Sequence, residues 1–166
     1  MGRRRNSRPI RVWVAISILL AIPLAPLYGR SMEAEGPYKV GAIFAVTGRA
    51  SSVGEPEKKT AEMIAEEINK AGGINGHPLE LIMYDDEGDA TECMAAMKKL
   101  INEDNVSVVI GPSTSGTSLA IVGLAEEAQI PMISCAANKR IVMPVERRHW
   151  VFKVAGSDMH LSLIHI

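Results

Sequence analysis

Hydrophobic positions along this chain come in two alternating rhythms. Tyr38 to Val46 is a continuous apolar run, the pattern of a strand buried on both faces. The small-polar stretch Thr47 to Pro56 reads as a loop. Ala61, Ile64, Ala65 and Ile68 then recur at helical spacing, which predicts a helix over 57–71 closed by Gly72-Gly73. Glu66 and Lys70 stand four apart on its wet side. Asn75-Gly76 marks a turn, and Leu79 to Tyr84 a second strand. Cys93, Met94, Met97, Leu100 and Ile101 stripe a helix over 90–102. Val106 to Ile110 is a third strand, followed by a helix with Leu119, Val122 and Ala125 on one face. A short strand over 130–133, a mixed basic loop or short helix over 139–149, and a fifth strand over 150–154 complete the series. Strand and helix in alternation predict an α/β fold, with right-handed crossovers and a parallel sheet.

Each strand runs out into small or polar residues: Thr47-Gly48, Asp85-Asp86, Gly111 to Ser115, Ser134 to Asn138, and Gly156 to Asp158. In an open parallel sheet, ligands sit beyond the carboxyl ends of the strands. The stretch from Gly111-Pro112 through Ser113, Thr114 and Ser115 opens a helix, where free N–H groups favour an anion such as a carboxylate or phosphate. A Ser or Thr N-cap without a ligand explains the same residues. Gly111 and Gly116 have the spacing of a phosphate-binding loop, but Thr117 stands where that loop needs Lys. Ser113 follows Gly111 as in a nucleophile elbow, but Ser115 replaces the second glycine. The acidic run Asp85 to Asp89 lacks the ligand spacing of an EF-hand. Asp89 and Glu92 instead fit a capping box. His77 lies in a turn, and the histidines fall away from the strand ends, so no nucleophile–base pair forms there. The reading is a binding edge for a small polar ligand rather than an enzyme, with no cofactor and no metal.

Composition narrows the partners. The chain has 166 residues and a formal net charge of −1, with 4% aromatics, which gives no basis for a nucleic-acid partner. Its two cysteines, Cys93 and Cys135, form no metal-type cluster. Arg3, Arg4, Arg5, Arg8 and Arg11 precede an apolar run over Val12 to Leu27, and Gly29-Arg30-Ser31 offers a cleavage site. Residues 1–31 therefore read as a secretory signal peptide, with an uncleaved membrane anchor as the alternative. Residues 32–158 are the ligand-binding part, and a periplasmic location is expected.

Five segments together resemble the branched-chain amino-acid-binding proteins, the periplasmic receptors of hydrophobic amino-acid ABC importers. They are Val40 to Gly48, Glu66 to Gly76, Tyr84 to Asp86, Val109 to Pro112, and Ile133 to Ala137. The resemblance implies a parallel-sheet lobe of the type I periplasmic binding fold. It also implies an amino-acid ligand and an inner-membrane ABC permease as partner. It puts the ligand carboxylate on Ser115, with Ser113 and Thr114 beside it, and on Asn138; the carbonyl of Ala136 accepts from the ammonium. Asn138 departs from the Thr or Ser usual in the family, and Cys93 and Cys135 do not match its cysteine pair. Family members are longer than this chain, and the resemblance stops near residue 158. The expectation is an N-terminal fragment, with residues 159–166 a tail of different origin. A sensor domain of the same fold is the alternative function.

Overall fold

The computed structural model describes residues 36–157; the signal-peptide reading over 1–31 and the tail over 159–166 lie outside the described residues. The first apolar run forms β1 (Tyr38–Phe44), and β2 (Leu79–Asp85) lies parallel to it in full register, from Tyr38 beside Leu79 to Phe44 beside Asp85. Three short strands follow: β3 (Val108–Ile110), β4 (Met132–Ser134) and β5 (Val151–Lys153). All pair in parallel, in the order β2-β1-β3-β4-β5. That is the sheet the alternating rhythm predicts.

Helix α1 (Ser51–Lys70) begins six residues earlier than the predicted 57–71. Gly54 and Pro56, read as loop residues, lie inside it. Gly54 is buried, and a Cβ there would come within 2.2 Å of the Ala45 carbonyl oxygen. The glycine permits the close approach of α1 to the end of β1 and does not break the helix. Ion pairs Lys58–Glu62, Lys59–Glu55 and Lys70–Glu66 line the exposed side of α1, each at i,i+4.

Helix α2 (Ala90–Lys99) starts at Asp89, whose carboxylate accepts from the Thr91 and Glu92 N–H groups. Its last predicted turn loosens into a π-turn over Leu100–Asp104. Helix α3 (Ser115–Ala128) is capped by Thr114, which accepts from the Thr117 N–H. The basic stretch after β4 forms two 3₁₀ turns, Lys139–Ile141 and Val145–Arg147.

Alternation along the strands separates two faces. Ile43, Val109, Met132 and Val151 point towards α2 and α3, where they pack with Cys93, Met97, Leu100, Ile121, Val122 and Ala125 in one buried cluster. Val40, Phe44, Leu81, Val108, Ile110 and Ile133 point to the α1 side. There an apolar groove of about 520 Å³ runs between the sheet and the Ala61, Ile64 and Ile68 stripe. Ile64 is 43% exposed and Phe152 is 52% exposed. The apolar stripe of α1 and the same face of β5 are therefore partly open to solvent.

Candidate functional site

The carboxyl ends of the strands bring the polar loops to one edge. Gly111 ends β3 with φ +98, and a Cβ there would meet the Ile43 carbonyl oxygen at 2.0 Å. Only glycine allows the chain to turn this close to β1. The Gly111-Pro112 peptide is cis.

The three hydroxyls after it have separate roles. Ser113 is buried; its Oγ accepts from the Ala45 N–H at 3.1 Å and donates to Glu57 Oε2, so it joins the ends of β1 and β3 to α1. Thr114 caps α3 and lies 2.9 Å from Thr117 Oγ1. Ser115 is the first residue of α3 and half-buried. Among the described residues, its hydroxyl and the N–H groups of Ser115 and Gly116 have no partner.

The second junction lies beside the first. The Cys135 N–H donates to the Pro112 carbonyl at 3.2 Å, joining the two turns directly. Ala136 is buried, its N–H donating to Ser134 Oγ at 3.1 Å. Its carbonyl accepts no hydrogen bond among the described residues. Asn138 uses Oδ1 to accept from the Arg140 N–H at 2.9 Å, which caps the following 3₁₀ turn. Lys153, at the end of β5, donates from Nζ to the carbonyls of Ala137 and Ala155 at 3.1 and 2.8 Å. The five residues picked from the sequence thus share one edge. Ser113, Thr114 and Asn138 are partly spent on internal bonds, whereas the Ser115 hydroxyl and the Ala136 carbonyl have no hydrogen-bond partner among the described residues.

Sequence reasoning missed four contributors. Glu57, the first residue of the predicted helix but not singled out for the edge, reaches Ser113. Ser118 and Ser134, both fully buried, bring their hydroxyls within 2.7 Å of each other. Lys153 looks like an ordinary strand residue. Only the signal of a serine among apolar helix positions could have marked Ser118.

The acidic run is structural in its contacts. Asp85 accepts from Val46 N–H, Thr47 N–H, Thr47 Oγ1 and Glu87 N–H, tying the β1 loop to the β2 loop. Burial acts upward on Asp85, but the hydrogen bonds from Glu87, Thr47 and Val46 together hold it below the usual carboxylate range. Asp86 is fully buried and accepts from the Gly88 N–H at 2.9 Å. The cysteines are free: Cys93 belongs to the α2–α3 cluster and Cys135 lines the groove on the other face. Burial, and then the negative charge of Asp86, push the Cys93 thiol up. Burial and then Glu57 push Cys135 up to about 11. Both thiols stay protonated at neutral pH. His77 sits in the turn before β2, with its ring 5.0 Å from that of Tyr38, at the opposite end of the strand from the polar edge.

Comparison with known proteins agrees with this layout. Residues 37–160 match the family described as periplasmic binding protein. A leucine-, isoleucine-, valine-, threonine-, and alanine-binding protein of Pseudomonas aeruginosa is 32% identical over 121 residues, covering 73% of this chain and 32% of that protein. The Leu/Ile/Val-binding protein of Escherichia coli is 33% identical over 100 residues, covering 60% and 27%. Among solved structures, a branched-chain amino acid transporter substrate binding protein from Streptococcus pneumoniae, in complex with isoleucine, superposes with a TM-score of 0.69 at 31% identity. The match covers 74% of this chain and 34% of that one. A solute binding protein of an ABC transporter from Rhodopseudomonas palustris, in complex with 3,4-dihydroxy benzoic acid, gives 0.63 at 28% identity, covering 73% and 32%. The chain spans about a third of the length of the relatives it matches. A five-stranded parallel sheet with its polar loops gathered at the carboxyl edge, matched along most of its length, places this chain in the periplasmic binding protein family, as a type I α/β lobe.

Proposed function

We propose that this chain supplies one lobe of an extracytoplasmic solute-binding protein that captures an amino acid with an aliphatic side chain for an ABC importer, with an inner-membrane permease as its partner. The observation that carries this reading is the pairing of unmatched groups on adjacent turns. Ser115 Oγ and the first N–H groups of α3 are donors for a carboxylate. The Ala136 carbonyl is an acceptor for an ammonium, and Asn138 flanks it. An α-amino acid carries both groups two bonds apart. The bound isoleucine and dihydroxybenzoate of the two solved relatives share a carboxylate, which supports the α3 end as the anchor.

The test is calorimetry with L-isoleucine on the parent chain and on Ser115→Ala. Removing one hydrogen bond to a charged group costs roughly 1.5–3 kcal/mol, about ten- to a hundred-fold in affinity. Unchanged affinity in Ser115→Ala would place the carboxylate elsewhere. The extracytoplasmic location has its own check. Exported protein whose sequence starts near Met32 supports it with a cleaved signal peptide, membrane-bound protein with Met1 intact supports an anchor instead, and protein confined to the cytoplasm contradicts it.

A further inference from the structure

Ser118 and Ser134 are hydroxyl groups at 0% exposure in a layer otherwise built of Ile121, Val122, Met132 and Ala125. A buried hydroxyl costs stability unless its hydrogen bonds are made. Here they are made in series. The two Oγ atoms lie 2.7 Å apart. Ser134 Oγ accepts from the Ala136 N–H at 3.1 Å, and Ser118 Oγ lies 3.5 Å from the Pro112 carbonyl oxygen. One order gives every proton an acceptor: Ala136 N–H to Ser134, Ser134 to Ser118, and Ser118 to Pro112. The Pro112 carbonyl accepts from the Cys135 N–H as well. The series begins in the turn that carries the Ala136 carbonyl. It ends in the turn that starts α3.

We propose that Ser118 and Ser134 are positioning residues for ligand binding. Their buried hydroxyl pair fixes the spacing between the donor turn at Ser115 and the acceptor turn at Ala136. Neither hydroxyl touches the ligand. The proposal rests on the reading that an amino acid lies across both turns. A ligand carrying carboxylate and ammonium then depends on the spacing, whereas one carrying the carboxylate alone depends on the α3 end and not on the spacing.

The experiment titrates the full chain with L-leucine and with 4-methylpentanoate, the same skeleton without the amino group. The proteins are the parent, Ser118→Ala, and Ser118→Thr, which keeps the Oγ. Ser118→Ala should lose about tenfold in affinity for L-leucine and less than about twofold for 4-methylpentanoate. Ser118→Thr should stay close to the parent for both. Equal losses for the two ligands, or no loss for L-leucine, would overturn the proposal, because a merely structural defect does not distinguish them. If Ser118→Ala does not fold, Ser134→Ala makes the same comparison from the other hydroxyl. If the parent binds neither compound, the ligand reading fails on its own account, and amide hydrogen exchange decides the link between the turns. Ser118→Ala should then speed exchange at Ala136 about tenfold more than at Ala42 in β1. Equal acceleration at both amides would overturn the link.

Discussion

The two faces of the sheet are made from the same strands and end in different states. On the α2–α3 face, Ile43, Met97, Leu100, Ile121 and Met132 are fully buried. On the α1 face, the strand residues of opposite parity line an open groove of about 520 Å³. The helix that should close it, α1, lies against β1 and β2 and leaves Phe152 of β5 exposed. The polar edge is wired unequally to these faces. Ser118, Ser134 and Ala136 are built into the sealed side. The groove side reaches the edge through Glu57, which receives the Ser113 hydroxyl, and through Cys135. A binding edge needs groups held at fixed spacing. This one is joined through Ser118 and Ser134 to the face whose apolar cluster is buried.

The sharpest contrast comes from matched truncations. Met97→Ala empties a fully buried position and should cost about 2–5 kcal/mol. Ile64→Ala, on a side chain that is 43% exposed, should cost about 1 kcal/mol or less. Chemical denaturation of the full chain measures both. Equal costs would mean that the groove is closed in solution and that the two faces do not differ.

A smaller effect concerns acid. Asp85 holds the β1 and β2 loops together through hydrogen bonds that favour its charged form. Its folded pKa lies below its unfolded one, near 3.9. The stabilisation it gives is therefore complete above that unfolded value and is lost as pH falls through the folded one. Melts between pH 7 and pH 3 should show stability falling only at the acid end. Asp85→Asn should flatten part of that fall while lowering stability at pH 7. An unchanged acid profile in Asp85→Asn would mean that these bonds do not tie the loops.

Much of this fold is legible in the residues, because β1 and β2 are long apolar runs and α2 carries both a strong stripe and the Asp89 cap. The start of α1 is hidden, because Gly54-Glu-Pro56 has the composition of a turn while Gly54 serves a close contact with Ala45. The open groove is hidden too. A helical stripe says which side chains are apolar, and nothing about whether a partner covers them. At the edge, the strand-end rule marks the two stretches that hold the five candidate residues, and the resemblance picks the residues within them. It does not say which hydroxyls are spent internally, since Ser113 meets Glu57 across 56 residues and Ser118 meets Ser134 across 16. Such pairs are made by the packing of α1 and α3 on the sheet, and no local pattern announces them.

On the proposed function, the carboxyl edge, and not the apolar groove, receives the ligand. This is tested most directly by titrating the isotope-labelled full chain with L-isoleucine and following backbone amide shifts. The largest shifts are expected at Ser115, Gly116, Ala136 and Asn138, with His77 unmoved, and a matching loss of affinity in Ser115→Ala. Shifts centred instead on Thr60, Ala61 and Ile64 in the groove, with the edge amides still, would contradict it.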